Sequence, residues 1–113
     1  MGAVVDADKE TFEELVAEGT VLVDVWGPDC RPCMALMPTV DGLAEERSDL
    51  KVVKVEAPNN RRLCMTLKVM GLPAYLLYVD GTEVSRLTGQ DLTPAKLTEW
   101  LDGATFEAVN QPS

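Results

Sequence analysis

The chain has 113 residues, enough for one hydrophobic core and too few for two, so a single domain over residues 1–113 is predicted. Its 19 acidic and 10 basic residues give a formal net charge of −9, which excludes nucleic acid and anionic membrane surfaces as partners. No segment approaches the roughly 20 apolar residues of a membrane span, and no signal peptide is recognisable.

Helices and strands alternate through the first half of the chain. A short strand over residues 3–5 is followed by an amphipathic helix with Asp8 as its N-cap, which ends at Gly19. The nearly unbroken apolar run over residues 21–26 predicts a strand that is buried on both faces. A helix follows from Pro32 onward.

The second half of the chain adds a terminal hairpin to this alternation. A strand over residues 51–57 precedes a short helix over residues 59–67, which is expected to have asparagine caps. Residues 74–87 form a hairpin with an Asp-Gly turn. The last helix begins at Pro94, and Gly103 is expected to be its C-cap. This order predicts an α/β fold, a mixed sheet with helices on both faces.

Two of the three cysteines lie in the stretch WGPDCRPC, residues 26–33, at the spacing Cys-x-x-Cys. Cys30 is expected where a buried strand enters a helix, and the N–H groups at the start of a helix stabilise a thiolate. Cys33 lies one turn further on and is expected to stay a shielded thiol. Disulfide exchange needs this asymmetry, because a thiolate attacks and a second thiol resolves the mixed disulfide.

Two other interpretations of the stretch are a metal site and an inert loop. A structural zinc site takes four ligands, and the chain has no histidine and one further cysteine, Cys64, so redox chemistry is favoured and no cofactor is expected. An odd number of cysteines argues against a secreted disulfide framework and favours the cytoplasm. The alternative functions are a redox-inactive binding module and a zinc or iron–sulfur protein that shares both thiols between subunits.

Asp24 is an acid in the middle of the apolar strand, two residues before this stretch. Its burial is expected to raise its pKa towards neutrality, so that it can take the proton of Cys33 directly or through a water. Lys54, equally unexpected in its own apolar strand, is a candidate partner of Asp24 from the neighbouring strand. The competing interpretation is an aspartate that points to water at a strand edge.

Taken together, VLVDVWGPDCRPC…MP, VMGLPAYLLYVDG and a late Thr-Gly resemble the thioredoxin family along essentially the whole chain. The residues that fall at the family's spacing are Asp24, Trp26, Cys30, Cys33, Pro38, Pro73 and Gly89. The resemblance implies the thioredoxin fold, a central mixed five-stranded sheet flanked by four helices. It also implies a protein-disulfide reductase with a redox-active Cys30–Cys33 disulfide, recycled by a flavoprotein thioredoxin reductase.

The same resemblance implies a substrate-binding surface around the cysteines. Pro73 would be cis and face the cysteines, while Leu72 would offer backbone hydrogen bonds to an extended substrate segment. The other residues of this surface would be Trp26, Gly27, Asp29, Arg31, Ala74 and Gly89. The implied partners are protein disulfides and the reductase, and the protein is expected to be a monomer.

The chain departs from the usual family pattern at three positions. Asp29 replaces a tryptophan and Arg31 a glycine beside Cys30, and Ala74 stands where a threonine usually follows the proline. The segments RRL and GLP…LYVDG resemble atypical thioredoxins of anaerobic bacteria, including those that serve glycine-reductase systems. Cys64 is expected to be a small core or half-exposed residue, and the methionines are expected to fill gaps in the core.

Overall fold

The helices and strands are described in a computed structural model for residues 3–110, without the side chains of residues 109 and 110. The predicted domain, 1–113, therefore includes termini that lie outside the described residues. The strands are β1 Val4–Asp6, β2 Thr20–Trp26, β3 Leu50–Glu56, β4 Ala74–Val79 and β5 Thr82–Thr88. The helices are α1 Phe12–Val16, α2 Arg31–Glu46, α3 Arg61–Thr66 and α4 Pro94–Asn110, with a 3-10 turn at Ala57–Asn59. Within this range no helix has the length and apolar character needed to cross a bilayer.

The five strands form one mixed sheet in the order β1-β3-β2-β4-β5. The first three are parallel, whereas β4 runs antiparallel to both β2 and β5. The register sets Asp24 at the centre of β2 opposite Lys54 of β3 on one side and Tyr75 of β4 on the other. The sheet and its four helices confirm the predicted fold class.

Side chains alternate between the two faces of the sheet, and each face carries one apolar cluster. The α1/α3 face consists of Ala7, Phe12, Val16, Val21, Val23, Val25, Val53, Val55, Leu63, Cys64, Ala74, Leu76 and Tyr78. The α2/α4 face consists of Leu22, Leu36, Val40, Leu43, Ala44, Leu50, Val52, Tyr75, Leu77, Leu97, Leu101 and Ala104. Two helices therefore cover each side of the sheet.

Two predicted features of the second half of the chain are the hairpin turn at Asp80-Gly81 and the end of the last helix at Gly103. Asp80 and Gly81 have φ angles of 48° and 87°, the left-handed pair that a two-residue hairpin turn requires, so the predicted hairpin is confirmed. Gly103 as a C-cap is wrong, because α4 continues to Asn110. The apolar side of α4 extends past the glycine to the buried Ala104, and its packing outweighs the weak helix propensity of one exposed glycine.

Two predicted helix caps are also wrong. The carboxylate of Asp8 accepts the backbone N–H of Thr11, so it caps the turn that precedes α1, and α1 itself begins at Phe12. The side chain of Asn60 makes no cap hydrogen bond to α3. Its amide donates instead to the carbonyl of Glu56 at 2.9 Å, which fastens the 3-10 turn to the end of β3.

Candidate redox site

The two cysteines lie where β2 ends and α2 begins. Trp26 is the last residue of β2, and Cys30 immediately precedes Arg31, the first residue of α2. The sulfur atoms of Cys30 and Cys33 form a disulfide, and the two Cα atoms are 5.3 Å apart. Pro32 lies in the first turn of α2, where a missing backbone N–H costs no intrahelical hydrogen bond.

The sulfur of Cys30 is the side-chain N-cap of α2. The backbone N–H of Cys33 donates to Cys30 Sγ at 3.2 Å, which aims the positive end of the helix at this sulfur. Cys30 is partly exposed, whereas Cys33 is only 1% exposed. The pair thus combines an accessible sulfur, placed to carry negative charge once reduced, with a shielded one.

Asp24 is a buried acid on the α2 side of the sheet. It lies two residues beyond Leu22, which packs against α2, and it is 1% exposed. Neither carboxylate oxygen has a hydrogen-bond partner among residues 3–110. Burial raises the pKa of Asp24 from 3.8 to about 7; the Lys54 ammonium acts in the opposite direction, and the Asp41 carboxylate raises it slightly further. Asp24 can therefore exchange a proton near neutral pH.

Lys54 stands opposite Asp24 in the register, as expected of a partner from the neighbouring strand, but its ammonium makes no salt bridge to that carboxylate. Its ammonium donates instead to Asp41 of α2, with Nζ and Oδ1 2.8 Å apart. Asp41 is half exposed, so an ion pair there avoids much of the desolvation cost that a fully buried pair with Asp24 would carry. The charge of Lys54 still lowers the pKa of Asp24 from this position.

A second loop, residues 67–73 between α3 and β4, borders the cysteine loop, residues 27–30 between β2 and α2, and is called the proline loop below. The Leu72–Pro73 peptide bond is cis, and it leads directly into Ala74, which pairs with Val25 of β2. The Leu72 side chain covers Gly27, since a Cβ atom on this glycine would lie 3.2 Å from Leu72 Cδ1. A larger residue at this position would displace Leu72, so the two loops fit together through the glycine.

Gly89 fixes the proline loop from the end of β5. Its φ of 132° is one that side chains rarely adopt, and its N–H donates to the Pro73 carbonyl at 3.4 Å. The Ala74 methyl group is fully buried in the α1/α3 face. It belongs to the support of the loop and offers no accessible side-chain surface to a substrate.

Comparisons with known proteins agree with this site. A sequence profile of the family described as Thioredoxin matches residues 3–103. The chain belongs to the thioredoxin family. It is 39% identical over 95 residues to the thioredoxin of Acetoanaerobium sticklandii, a match that covers 81% of this chain and 90% of that protein. It is 41% identical over 93 residues to the thioredoxin of Peptoclostridium acidaminophilum, with 80% and 84% covered.

A solved structure supports the same assignment. A mutant thioredoxin from Halobacterium salinarum shares 26% identity and a TM-score of 0.79, covering 92% of this chain and 91% of its own. The thioredoxin fold and the resemblance to thioredoxins of anaerobic bacteria are thereby confirmed. With its Cys30–Cys33 pair the chain is a thiol–disulfide oxidoreductase of the protein-disulfide reductase type.

The residues around Cys30 differ from the usual thioredoxin surface. Asp29 and Arg31 are both exposed, so an anion and a cation flank the nucleophile where the family pattern has a tryptophan and a glycine. Trp26 is half-buried, and its indole N–H has no acceptor among the described residues. The surface beside the disulfide is thus polar and charged.

Two residues of the site could not be recognised from the sequence, and three methionines were wrongly expected in the core. Asp41, the partner of Lys54, is one of several acids along α2, and Tyr75 stands in an apolar strand run without an obvious polar role. Met34, Met65 and Met70 were expected to fill core gaps but are 45%, 76% and 97% exposed.

Proposed function

We propose that the protein reduces disulfides of other proteins by attack through Cys30 and resolution through Cys33. The single observation that carries this proposal is the partly exposed Cys30 sulfur at the N-terminus of α2, which accepts the Cys33 N–H. A sulfur held there is stabilised as an anion and remains open to a partner.

The first half of the reaction forms a mixed disulfide. The Cys30 thiolate attacks one sulfur of the substrate disulfide, so a Cys30–substrate bond forms as the substrate's own S–S bond breaks. The displaced substrate thiolate takes a proton from solvent. At this stage the Cys30 sulfur has been oxidised to the disulfide level and one substrate sulfur has been reduced to a thiol.

The second half releases the substrate. Asp24 takes the proton of the Cys33 thiol, directly or through one water, and the Cys33 thiolate attacks Cys30 Sγ. The Cys30–Cys33 disulfide forms, and the second substrate sulfur leaves and is protonated. The substrate gains two electrons and two protons, both electrons from the two cysteines of the protein.

The partners follow from this cycle. A flavoprotein thioredoxin reductase returns two electrons to the Cys30–Cys33 disulfide. Substrate and reductase would dock on the surface formed by Trp26, Asp29, Arg31, Leu72 and Gly89, with Gly27 and Pro73, which are buried, supporting it. We place the activity in the cytoplasm because the odd number of cysteines argues against a secreted framework, and we expect a monomer.

Reduction of insulin disulfides by the dithiothreitol-reduced protein tests the proposal. Cys30→Ser should abolish turnover, because serine cannot form the mixed disulfide. Cys64→Ser is the matched control and should leave turnover unchanged, since Cys64 is buried in the α1/α3 face. Equal activity of Cys30→Ser and the natural protein would favour a redox-inactive binding module.

The role of Asp24 has its own test. Reaction of the reduced protein with Ellman's reagent releases one thionitrobenzoate on Cys30 attack and a second on Cys33 resolution. Asp24→Asn should slow the second release by about 10²-fold at pH 8, the usual contribution of a general base, and should barely change the first. If both releases keep their natural rates, Asp24 is not the base.

A further inference from the structure

Tyr75 is a second buried polar side chain beside Asp24. It is 0% exposed, and its hydroxyl has no hydrogen-bond partner among residues 3–110. The register pairs it directly with Asp24 across β2 and β4, and directly opposed Cβ atoms lie about 4.5–5.5 Å apart. Two polar groups that lack partners therefore lie side by side on one face of the sheet.

These two groups are chemically complementary. A carboxylate can only accept hydrogen bonds, whereas a phenol can donate one. Burial, and then the negative charge of Asp24, raise the pKa of Tyr75, so the phenol keeps its proton throughout the physiological range. Tyr75 therefore remains a donor whenever Asp24 is ionised.

The other groups around Asp24 leave this position to Tyr75. From β3, the Lys54 ammonium is hydrogen-bonded to Asp41, which faces it from α2. From α4, Leu97 contributes apolar surface to the same face. Two buried donors near Asp24 have no acceptor among the described residues, the indole N–H of Trp26 in β2 and the hydroxyl of Tyr75 in β4. Of the two, Tyr75 stands directly opposite Asp24 in the register, whereas Trp26 lies two residues further along β2.

We propose that Tyr75 is a positioning residue for Asp24, and that its hydroxyl donates a hydrogen bond to a bridging water that in turn donates to the ionised carboxylate. A water is a suitable bridge because buried waters join polar groups that lack other partners. The bond favours the ionised carboxylate and directs its free oxygen towards the proton that it accepts.

This inference rests on the proposed role of Asp24 as the base for Cys33. During resolution one proton moves from Cys33 Sγ to Asp24, while Tyr75 keeps its own. The hydrogen bond lowers the pH at which Asp24 becomes competent to accept that proton. Without this hydrogen bond, the carboxyl would ionise only at a higher pH, and resolution at neutral pH would be slower.

Tyr75→Phe removes the hydroxyl and keeps the ring that fills the core. The midpoint of the pH profile for the second thionitrobenzoate release should move up by about half to one pH unit, with the rate at pH 7 falling about two- to fivefold. The carboxyl carbon of Asp24, followed by NMR, should titrate with the same upward shift. Tyr78→Phe is the matched control, because Tyr78 lies in the same strand on the α1/α3 face and should leave both midpoints unchanged.

A double-mutant cycle separates the inference from the function on which it rests. In an Asp24→Asn background, Tyr75→Phe should cause no further change in the profile. Unchanged midpoints in Tyr75→Phe, with resolution still slowed by Asp24→Asn, would overturn the inference and leave the proposed function standing. Should Tyr75→Phe fail to fold, the ring Cζ signal of Tyr75 in the natural protein should shift with the Asp24 titration; a flat signal would overturn the inference.

Discussion

The two faces of the sheet are built from the same strands but differ in polarity. On the α1/α3 face, β2 contributes three valines, and Tyr78 packs edge-on against Phe12 with ring centroids 5.7 Å apart. On the α2/α4 face, the centre of the same strands carries Asp24 and Tyr75, whose buried oxygens lack partners among the described residues. One face is arranged for packing and the other carries buried polar groups under the helix that begins at the cysteines.

This difference indicates where the fold accepts a loss of stability. A buried carboxyl and a buried hydroxyl without hydrogen bonds are costly, and the α1/α3 face shows that these strands can be packed without them. The polar groups occur on the side where α2 positions Cys33, which is where a proton must be moved. The loss of folding stability therefore occurs on the face whose buried polar groups the proposed chemistry requires.

Asp24→Asn should have the largest effect on stability. The folded protein holds the Asp24 proton up to about pH 7, whereas the unfolded chain releases it near 3.8, so stability falls as pH rises between these values. This pKa shift corresponds to a loss of about 4 kcal/mol in the free energy of unfolding at high pH. Asparagine has no ionisable group and therefore avoids this loss. The variant should therefore gain up to about 4 kcal/mol over the natural protein at pH 8 and little at pH 4, measured by urea unfolding.

Val23→Asn is the matched control on the opposite face. It places the same amide among apolar side chains and should destabilise by about 1–3 kcal/mol at either pH, because valine carries no titrating group. A gain from Asp24→Asn that is equal at pH 4 and pH 8 would contradict the linkage and indicate that this carboxyl is hydrated.

Asp29→Trp tests a residue that lies on neither face, at the exposed rim of the site. An apolar ring beside Cys30 should improve turnover by a generic thioredoxin reductase up to about tenfold, because it restores buried area in the docked complex. Turnover with this protein's own reductase should become less dependent on salt, since a charge that steers association is removed.

The matched control for that variant is Asp49→Trp. Asp49 is also exposed, but it precedes β3 at the end of the sheet away from the cysteines. The Asp49→Trp variant should change neither the reductase preference nor the salt dependence of turnover. The same improvement from both variants would show that a less negative overall charge, and not the site surface, governs docking.

Lys54→Met and Asp41→Asn should shift the Asp24 titration by smaller amounts and in opposite directions. Lys54 lowers the pKa of Asp24 and Asp41 raises it, so the midpoint of Cys33 resolution should rise in the first variant and fall in the second. At pH 7 we expect resolution about two- to fivefold slower and up to about twofold faster, respectively. Lys51→Met is the control, because Lys51 donates to the Leu15 carbonyl and should leave the midpoint unchanged.

Local patterns of the sequence predicted most of this fold. The apolar run that ends at Trp26, the Asp80-Gly81 turn and the start of α4 each depend on neighbours within a few residues, and all three are observed. Gly103 was misjudged because the packing of α4 on the sheet, which sequence spacing does not report, outweighs a local preference.

The site was predictable in its cysteines and less so in their surroundings. The cysteine pair is recognisable by its Cys-x-x-Cys spacing, and Asp24 is recognisable as an acid in an otherwise apolar strand. The partner of Lys54 could not be read in the same way, because register alone favours Asp24 while the length of the lysine side chain lets it reach α2. Tyr75 was missed because tyrosine is common in strands, and its hydroxyl matters only through the residue across the sheet.

The hydrogen bond from the Cys33 N–H to Cys30 Sγ also links catalysis to the order of a helix end. A substrate linkage that rotated Cys30 Sγ away from this N–H would remove the cap, and we would then expect the first turn of α2 to loosen. Cys33 lies in that turn and must approach Cys30 for release. Binding of the substrate would thus give Cys33 the freedom to attack, and formation of the Cys30–Cys33 disulfide would restore the cap after the substrate has left.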